Sequence, residues 1–217
     1  MSKPITVLII DRGHGTCNNK IKYPTPGKQA ILPSGLHVYE GFENEKYAKA
    51  LEDWGKKAGY KIVFTVEPSD PTDLPLSSRV SLANKLPDRA NAIFISVHNN
   101  AGGGKGEGTE VFTSKGKTSS DSYAEGMIQA IKESLPTRKL RVDTTDGDLD
   151  KEENFYVLKN TVMPAVLLEI GFFDNETDYK WLSSPIIISS FSRAIINGIT
   201  KTNQKLYGED KVSQKLV

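Results

Sequence analysis

Apolar positions along the chain follow two rhythms. Short β-branched runs at Ile5–Ile10, Lys61–Val66, Ala92–Val97, Gly108–Thr113 and Pro164–Glu169 predict strands. Ile5–Ile10, Ala92–Val97 and Pro164–Glu169 are apolar on both faces, as strands covered by helices on both sides must be. Between them, Tyr47, Leu51, Trp54 and Ala58 recur at helical spacing in a segment that ends at Gly59, a C-cap residue. Leu76, Val80 and Ala83 mark a second helical face, and Ala124, Ile128, Ile131 and Leu135 a third. Ile188, Phe191, Ile195 and Ile199 mark a fourth, long helix. This alternation predicts an α/β fold, a three-layer sandwich with a central, mostly parallel sheet flanked by helices. Tyr47, Leu51 and Trp54 are then core residues and not an aromatic platform. With no internal repeat or Pro/Ser-rich linker, residues 1–205 read as one domain and residues 206–217 as a polar tail.

Two segments interrupt the pattern. Gly102–Gly108 is too rich in glycine for regular structure, and Thr16–Leu36 carries Pro24, Pro26 and Pro33 between the first strand and the first helix. Loops that follow strands in this way are where α/β proteins bind ligands. Composition narrows the class further. In 217 residues, 37% are hydrophobic and 25% charged, which excludes disorder and coiled coil. A net charge of +1 lacks the basic excess of a nucleic-acid binder. The single cysteine, Cys17, excludes an internal disulfide framework, and no apolar run approaches a membrane span. Met1-Ser2-Lys3-Pro4 leads straight into the first strand without the pattern of a secretory signal. The expectation is a chain made in the cytoplasm that needs another export route to act outside it.

Chemistry-bearing residues stand at the ends of three buried strands. Ile5–Ile10 runs into Asp11-Arg12-Gly13-His14-Gly15, Ala92–Val97 into His98-Asn99-Asn100-Ala101, and Ala165-Val166-Leu167-Leu168 into Glu169. A parallel sheet brings these ends to one edge, where His14 and His98 can share an ion. An oxygen ligand would come from the acidic stretch that opens the first helix, where Glu40, Glu43 and Glu45 compete. Two His and a carboxylate with an open fourth position form a catalytic zinc arrangement, which leaves Glu169 as a general base.

These residues also carry a family resemblance. The chain resembles the zinc-dependent N-acetylmuramoyl-L-alanine amidases of the amidase-3 family, phage endolysins among them. The family's opening Asp-Pro-Gly-His-Gly-Gly turn appears as Asp11-Arg12-Gly13-His14-Gly15-Thr16. Its Leu-Ser-x-Arg…Ala-Asn helix matches Leu76-Ser77-Ser78-Arg79 and Ala83-Asn84, and its Ser-x-His-x-Asn-Ala strand end matches Ser96–Ala101. Its closing pattern matches Pro164, Val166, Leu167, Glu169, Gly171, Phe172 and Asn175. The family places its ligand Glu four residues before an Asn and about nineteen before a Gly. Here Glu40, Asn44 and Gly59 fit that register and Glu45 does not.

The resemblance implies one Zn2+ per chain, held by His14, Glu40 and His98, with Glu169 as the catalytic base. It implies a monomer that acts on peptidoglycan in the cell wall, cleaving the amide between N-acetylmuramic acid and L-alanine. Asp11 is expected to orient His14 or its loop, Asn100 to touch substrate or support a ligand, and Gly102–Gly108 to line the groove. Arg12, Thr16 and Thr65-Val66 depart from the family pattern. His37 reads as a loop residue, and Cys17, three residues after His14, as a spare thiol. Gly116-Lys117-Thr118 fails as a phosphate loop because Val111 occupies the required earlier Gly position. The polar, acidic interval Pro136–Asn154 has too few apolar residues for a helix that would plug the site. A zinc peptidase or deacylase acting on another amide, and a silent wall-binding or virion-structural protein, are the competing readings.

Overall fold

The apolar runs become neighbouring strands. The protein is described here by a computed structural model that covers residues 3–16, 25–145 and 147–208. Its elements in chain order are β1 (Val7–Arg12), β2 (Gln29–Ile31), β3 (His37–Tyr39), α1 (Glu40–Lys57), β4 (Lys61–Phe64), α2 (Leu76–Lys85) and β5 (Ala92–Asn100). There follow β6 (Glu110–Thr113), α3 (Ser119–Ser134), β7 (Lys151–Glu152), α4 (Tyr156–Asn160), β8 (Ala165–Phe172), α5 (Glu176–Leu182) and α6 (Pro185–Tyr207). Six strands form one sheet in the order β4-β1-β5-β8-β6-β7. The pairs β1–β4, β1–β5 and β5–β8 are parallel, and β6 runs antiparallel to β8. The mostly parallel sheet expected from the sequence is therefore present, with its carboxyl ends aligned across β1, β5 and β8.

Alternate residues of these strands enter two cores. Leu8, Ile10, Ile93, Ile95, Val97, Val166 and Leu168 face Tyr47 and Leu51 of α1, Met127 and Ile131 of α3, and Phe191 and Ile195 of α6. Val7, Ile9, Phe94, Ala165 and Leu167 face Val80 of α2 and Val157 and Leu158 of α4. The period of two along a strand makes this division, and burial on both faces explains the unbroken apolar runs. Helices α3 and α6 cross closely because Gly126 and Gly198 meet there. A Cβ on Gly198 would lie 2.6 Å from the Gly126 carbonyl oxygen and 2.7 Å from the Met127 Cα. Backbone atoms cannot yield as side chains do, so Gly198→Ala is expected to destabilise by about 1–3 kcal/mol despite alanine's better helix propensity. Thermal unfolding of the variant measures this as a lowered Tm.

Several expectations are corrected in detail. β4 ends at Phe64, short of the expected Val66, although the Thr65 amide still donates to the Ile10 carbonyl (3.2 Å) while its hydroxyl turns to Asp11. β5 and β8 continue to Asn100 and Phe172, so His98 lies within its strand instead of following it, and Glu169 lies inside its strand instead of at its end. Within the expected loop Thr16–Leu36 stands the hairpin strand β2, paired antiparallel with β3; Cys17 lies outside the described residues. α6 runs to Tyr207, so Leu206 and Tyr207 are helical and not tail, while residues 209–217 lie outside the described residues. No helix among the described residues is long and apolar enough to cross a membrane.

Candidate metal centre

The turn after β1 is held from four sides. The Gly13 amide donates to the Val97 carbonyl of β5 (3.0 Å), and the Gly13 carbonyl accepts from Asn44 Nδ2 of α1 (2.8 Å). A Cβ on Gly13 would lie 2.2 Å from the His98 ring, so glycine is what lets that imidazole close against the turn. His14 follows with φ +62°, the one non-glycine residue in the left-handed region among those described. Asp11 fixes the base of the turn: its carboxylate accepts from Arg79 Nη1 (2.8 Å), Thr65 Oγ1 (2.5 Å) and Ser96 Oγ (2.8 Å). Arg79 also donates to the Arg12 carbonyl and to Asp73. Asp11 thus anchors the loop that carries His14 and makes no hydrogen bond to His14 itself.

Glu40 opens α1, where the positive end of the helix dipole favours its ionised form. Its carboxylate lies 3.3 Å from His14 Nε2 and 3.0 Å from His98 Nδ1, and the two rings meet edge to face at 4.9 Å between centroids. One ligand atom from each of the three residues lies within 4.8 Å of the others. Ligand atoms about 2.0–2.1 Å from a tetrahedral zinc ion stand about 3.3 Å apart, so the spacing suits that ion. His14 Nε2 is buried and makes no hydrogen bond, a cost removed if it binds a metal. The donor set of two imidazoles and one carboxylate is a zinc set, and the residues fit the ion. The competing acids point elsewhere: Glu43 pairs with Lys46 and Tyr179, and Glu45 with Lys49. His37 is exposed on β3, away from the cluster.

Charge distribution follows from burial and from this pairing. Burial works to raise the Glu40 carboxyl, but the contacts with His14 and His98 outweigh it and hold the group well below the usual carboxylate range. Burial pulls His14 down. Burial also opposes charge on His98, yet Glu40 prevails and raises it. Glu169 stands directly across the β5–β8 ladder from His98, and its Oε2 is buried without a hydrogen-bond partner. Desolvation pushes its pKa up to about 7, within the range of a group that both takes and gives protons near neutrality.

A cavity of about 230 Å³ opens over this cluster, lined by His14, His98 and Glu169 and walled by Leu76, Phe155 and Tyr156. Those three wall residues are 38–51% exposed, an apolar rim of the kind that marks a binding groove. The part of the wall made by Phe155 and Tyr156 was not legible in the sequence, because α4 has only five residues and reaches the cavity through tertiary packing alone. Lys28 was missed as well; its Nζ lies 3.5 Å from Glu40 Oε2.

Two expected contributors lie away from the cavity. Asn100 donates to Glu110 Oε2 (2.6 Å) and accepts from the Ala101 amide. A register shift between His98 and Asn100 breaks the alternation that would put both on one face. The Gly102–Gly108 loop is drawn off to Asp174, which accepts from the Gly102 and Gly104 amides, and Gly106 rests against the Phe172 ring.

The match of a family model decides the affiliation: the N-acetylmuramoyl-L-alanine amidase model aligns with residues 8–201, nearly the whole chain. The chain belongs to the amidase-3 family. Its fold is similar to the catalytic domain of CwlV, an N-acetylmuramoyl-L-alanine amidase from Paenibacillus polymyxa, with TM-score 0.71 and 28% identity, covering 91% of this chain and 97% of that one. An uncharacterized cell wall amidase of Bacillus anthracis is 35% identical over 193 residues, 88% of this chain and 34% of that protein. The N-acetylmuramoyl-L-alanine amidase CwlM of Bacillus licheniformis is 35% identical over 133 residues, 61% of this chain and 47% of that protein. The chain therefore spans between a third and a half of the length of these two relatives.

Proposed function

We propose that this amidase-3 chain is a zinc-dependent hydrolase of peptidoglycan that cleaves the amide between the lactyl group of N-acetylmuramic acid and L-alanine. The observation that carries the reading is the convergence of His14, Glu40 and His98 beside an unpartnered, buried Glu169 oxygen. Zinc held by the three residues would supply polarisation of the amide carbonyl and a lowered pKa for water. Glu169 Oε2 takes the proton of the attacking water and returns it to the departing nitrogen. The products are the lactyl carboxylic acid and the free amine of L-alanine. The apolar rim of Leu76, Phe155 and Tyr156 provides contact area for a bulky substrate, and the site of action is the cell wall, outside the cytoplasmic membrane.

The test is zinc content of the purified chain together with release of L-alanine amino termini from isolated sacculi. One zinc per chain and amidase release are expected, with no added activator. The described part of the Pro136–Asn154 interval ends in the short edge strand β7 and contributes nothing to the cavity lining, so no plug has to be removed. Release of other amines instead would identify a peptidase. Zinc binding without any release would identify a silent wall-binding protein.

A further inference from the structure

Local structure delivers Lys28 to the metal-ligand cluster. Thr25-Pro26-Gly27-Lys28 forms a turn closed by the Lys28 amide on the Thr25 carbonyl (3.2 Å). Pro26 stands second and Gly27, with φ +77°, third, the pairing a type II turn requires. The Thr25 hydroxyl accepts from the Gly15 amide (2.8 Å), next to His14, and donates to Asp73 (2.6 Å). On the other flank the Lys28 carbonyl accepts from the Glu40 amide (2.9 Å), at the foot of the β2–β3 hairpin. The turn is thus tied at one end to the residue after one metal ligand and at the other to a second ligand.

The ammonium so placed lines the cavity with His14 and Glu169. Its contact with Glu40 is long, at 3.5 Å, and its side chain is 44% exposed. An ion pair of that kind adds little to stability, so structure alone does not account for it. The other cation lining the cavity, Arg79, is fully engaged by Asp11, Asp73 and the carbonyls of Leu74 and Arg12. Lys28 is the lining cation with donors to spare for a substrate.

We propose that Lys28 binds the carbonyl oxygen of the scissile amide as negative charge develops there, which makes it a catalytic residue. The proposal rests on the amidase reading above. Water forms a bond to the carbonyl carbon as Glu169 takes its proton, and the carbonyl π pair moves onto oxygen, where the ammonium faces it. The pair then returns, the C–N bond breaks, and the proton on Glu169 passes to nitrogen. Lys28 transfers no proton in this sequence of steps; its ammonium supplies charge, which a partly desolvated cavity makes more effective than water would.

The experiment compares the wild-type chain with Lys28→Met and Lys28→Arg by zinc content, by kcat and KM on a soluble muropeptide, and by affinity for a phosphinate isostere of the scissile amide. Phosphinate carries the negative charge on tetrahedral oxygens, so its binding reports the interaction without turnover. Lys28→Met is expected to keep one zinc per chain and its KM. Its kcat should fall about 10²–10³-fold, as on loss of an oxyanion donor, and its phosphinate affinity should fall with it. Lys28→Arg should recover part of both. Unchanged kcat, a rise in KM alone, or loss of zinc from Lys28→Met would each overturn the proposal, the last by making Lys28 a support for Glu40. A wild-type chain that binds zinc and cleaves no muropeptide would overturn the amidase reading and this proposal with it. A cleaving wild type matched by an equally active Lys28→Met overturns the role of Lys28 alone.

Discussion

Glu169→Gln is expected to yield a folded protein with full zinc content whose kcat is lowered by about 10²–10⁴, the usual worth of a positioned general base. Gln keeps the volume and the strand position, so β8 and its pairing with β5 and β6 have no reason to change. The metal should stay because Glu169 is not part of the cluster whose ligand atoms lie within 4.8 Å of one another. Its Oε2 has no partner to lose, so the exchange breaks no hydrogen bond there. Zinc analysis and steady-state kinetics on one preparation check both halves. Zinc lost along with activity would make Glu169 a ligand. Near-normal digestion of sacculi would reduce it to a polar strand residue.

The parts legible in the sequence are those with a period and a long run behind them. β1, β5 and β8 are buried on both faces, which leaves an unbroken apolar signature that ends where polar chemistry begins. Parallel alignment then places His14, His98 and Glu169 at one edge without further information. The first two turns of α1 hold three acids that residue type alone does not rank; the family register selects Glu40, and the fold turns it toward the histidines while Glu43 and Glu45 pair with Lys46 and Lys49. The hairpin β2–β3 was not legible because strands of three residues show no alternation, and the prolines around them read as loop. Asp11 shows the same limit at one residue. The sequence offers Asp11 as a support for His14 or for its loop, and the structure makes it the anchor of the loop. The partner of Asp11, Arg79, is 68 residues away, a distance no local pattern reports. Asn100 belongs to a legible motif, yet the register shift beside His98 turns it to Glu110. Lys28 carried no signal beyond a Pro-Gly turn, because its meaning lies in the long-range contact with Glu40.

Glu40→Ala is expected to weaken zinc binding more than about 100-fold, since even residues that only support a ligand cost 10–100-fold when changed. Amidase activity should fall with occupancy. Two features make Glu40 the decisive position. It contacts both histidines at once, at 3.3 and 3.0 Å, so its loss leaves two imidazoles with no charge to offset a divalent ion. It also carries the link to Asn44, whose side chain holds the Gly13 carbonyl beside His14. Glu45→Ala is the matched control on the same helix. Glu45 is engaged with Lys49 one turn on, a helix-surface pair worth a few tenths of a kcal/mol, and it reaches no ligand. Zinc per chain after dialysis, with circular dichroism to verify that both variants fold, separates the two acids. Metal lost from the Glu45 variant and kept by the Glu40 variant would shift the site by five residues along α1. That outcome is incompatible with a carboxylate already seated between His14 and His98.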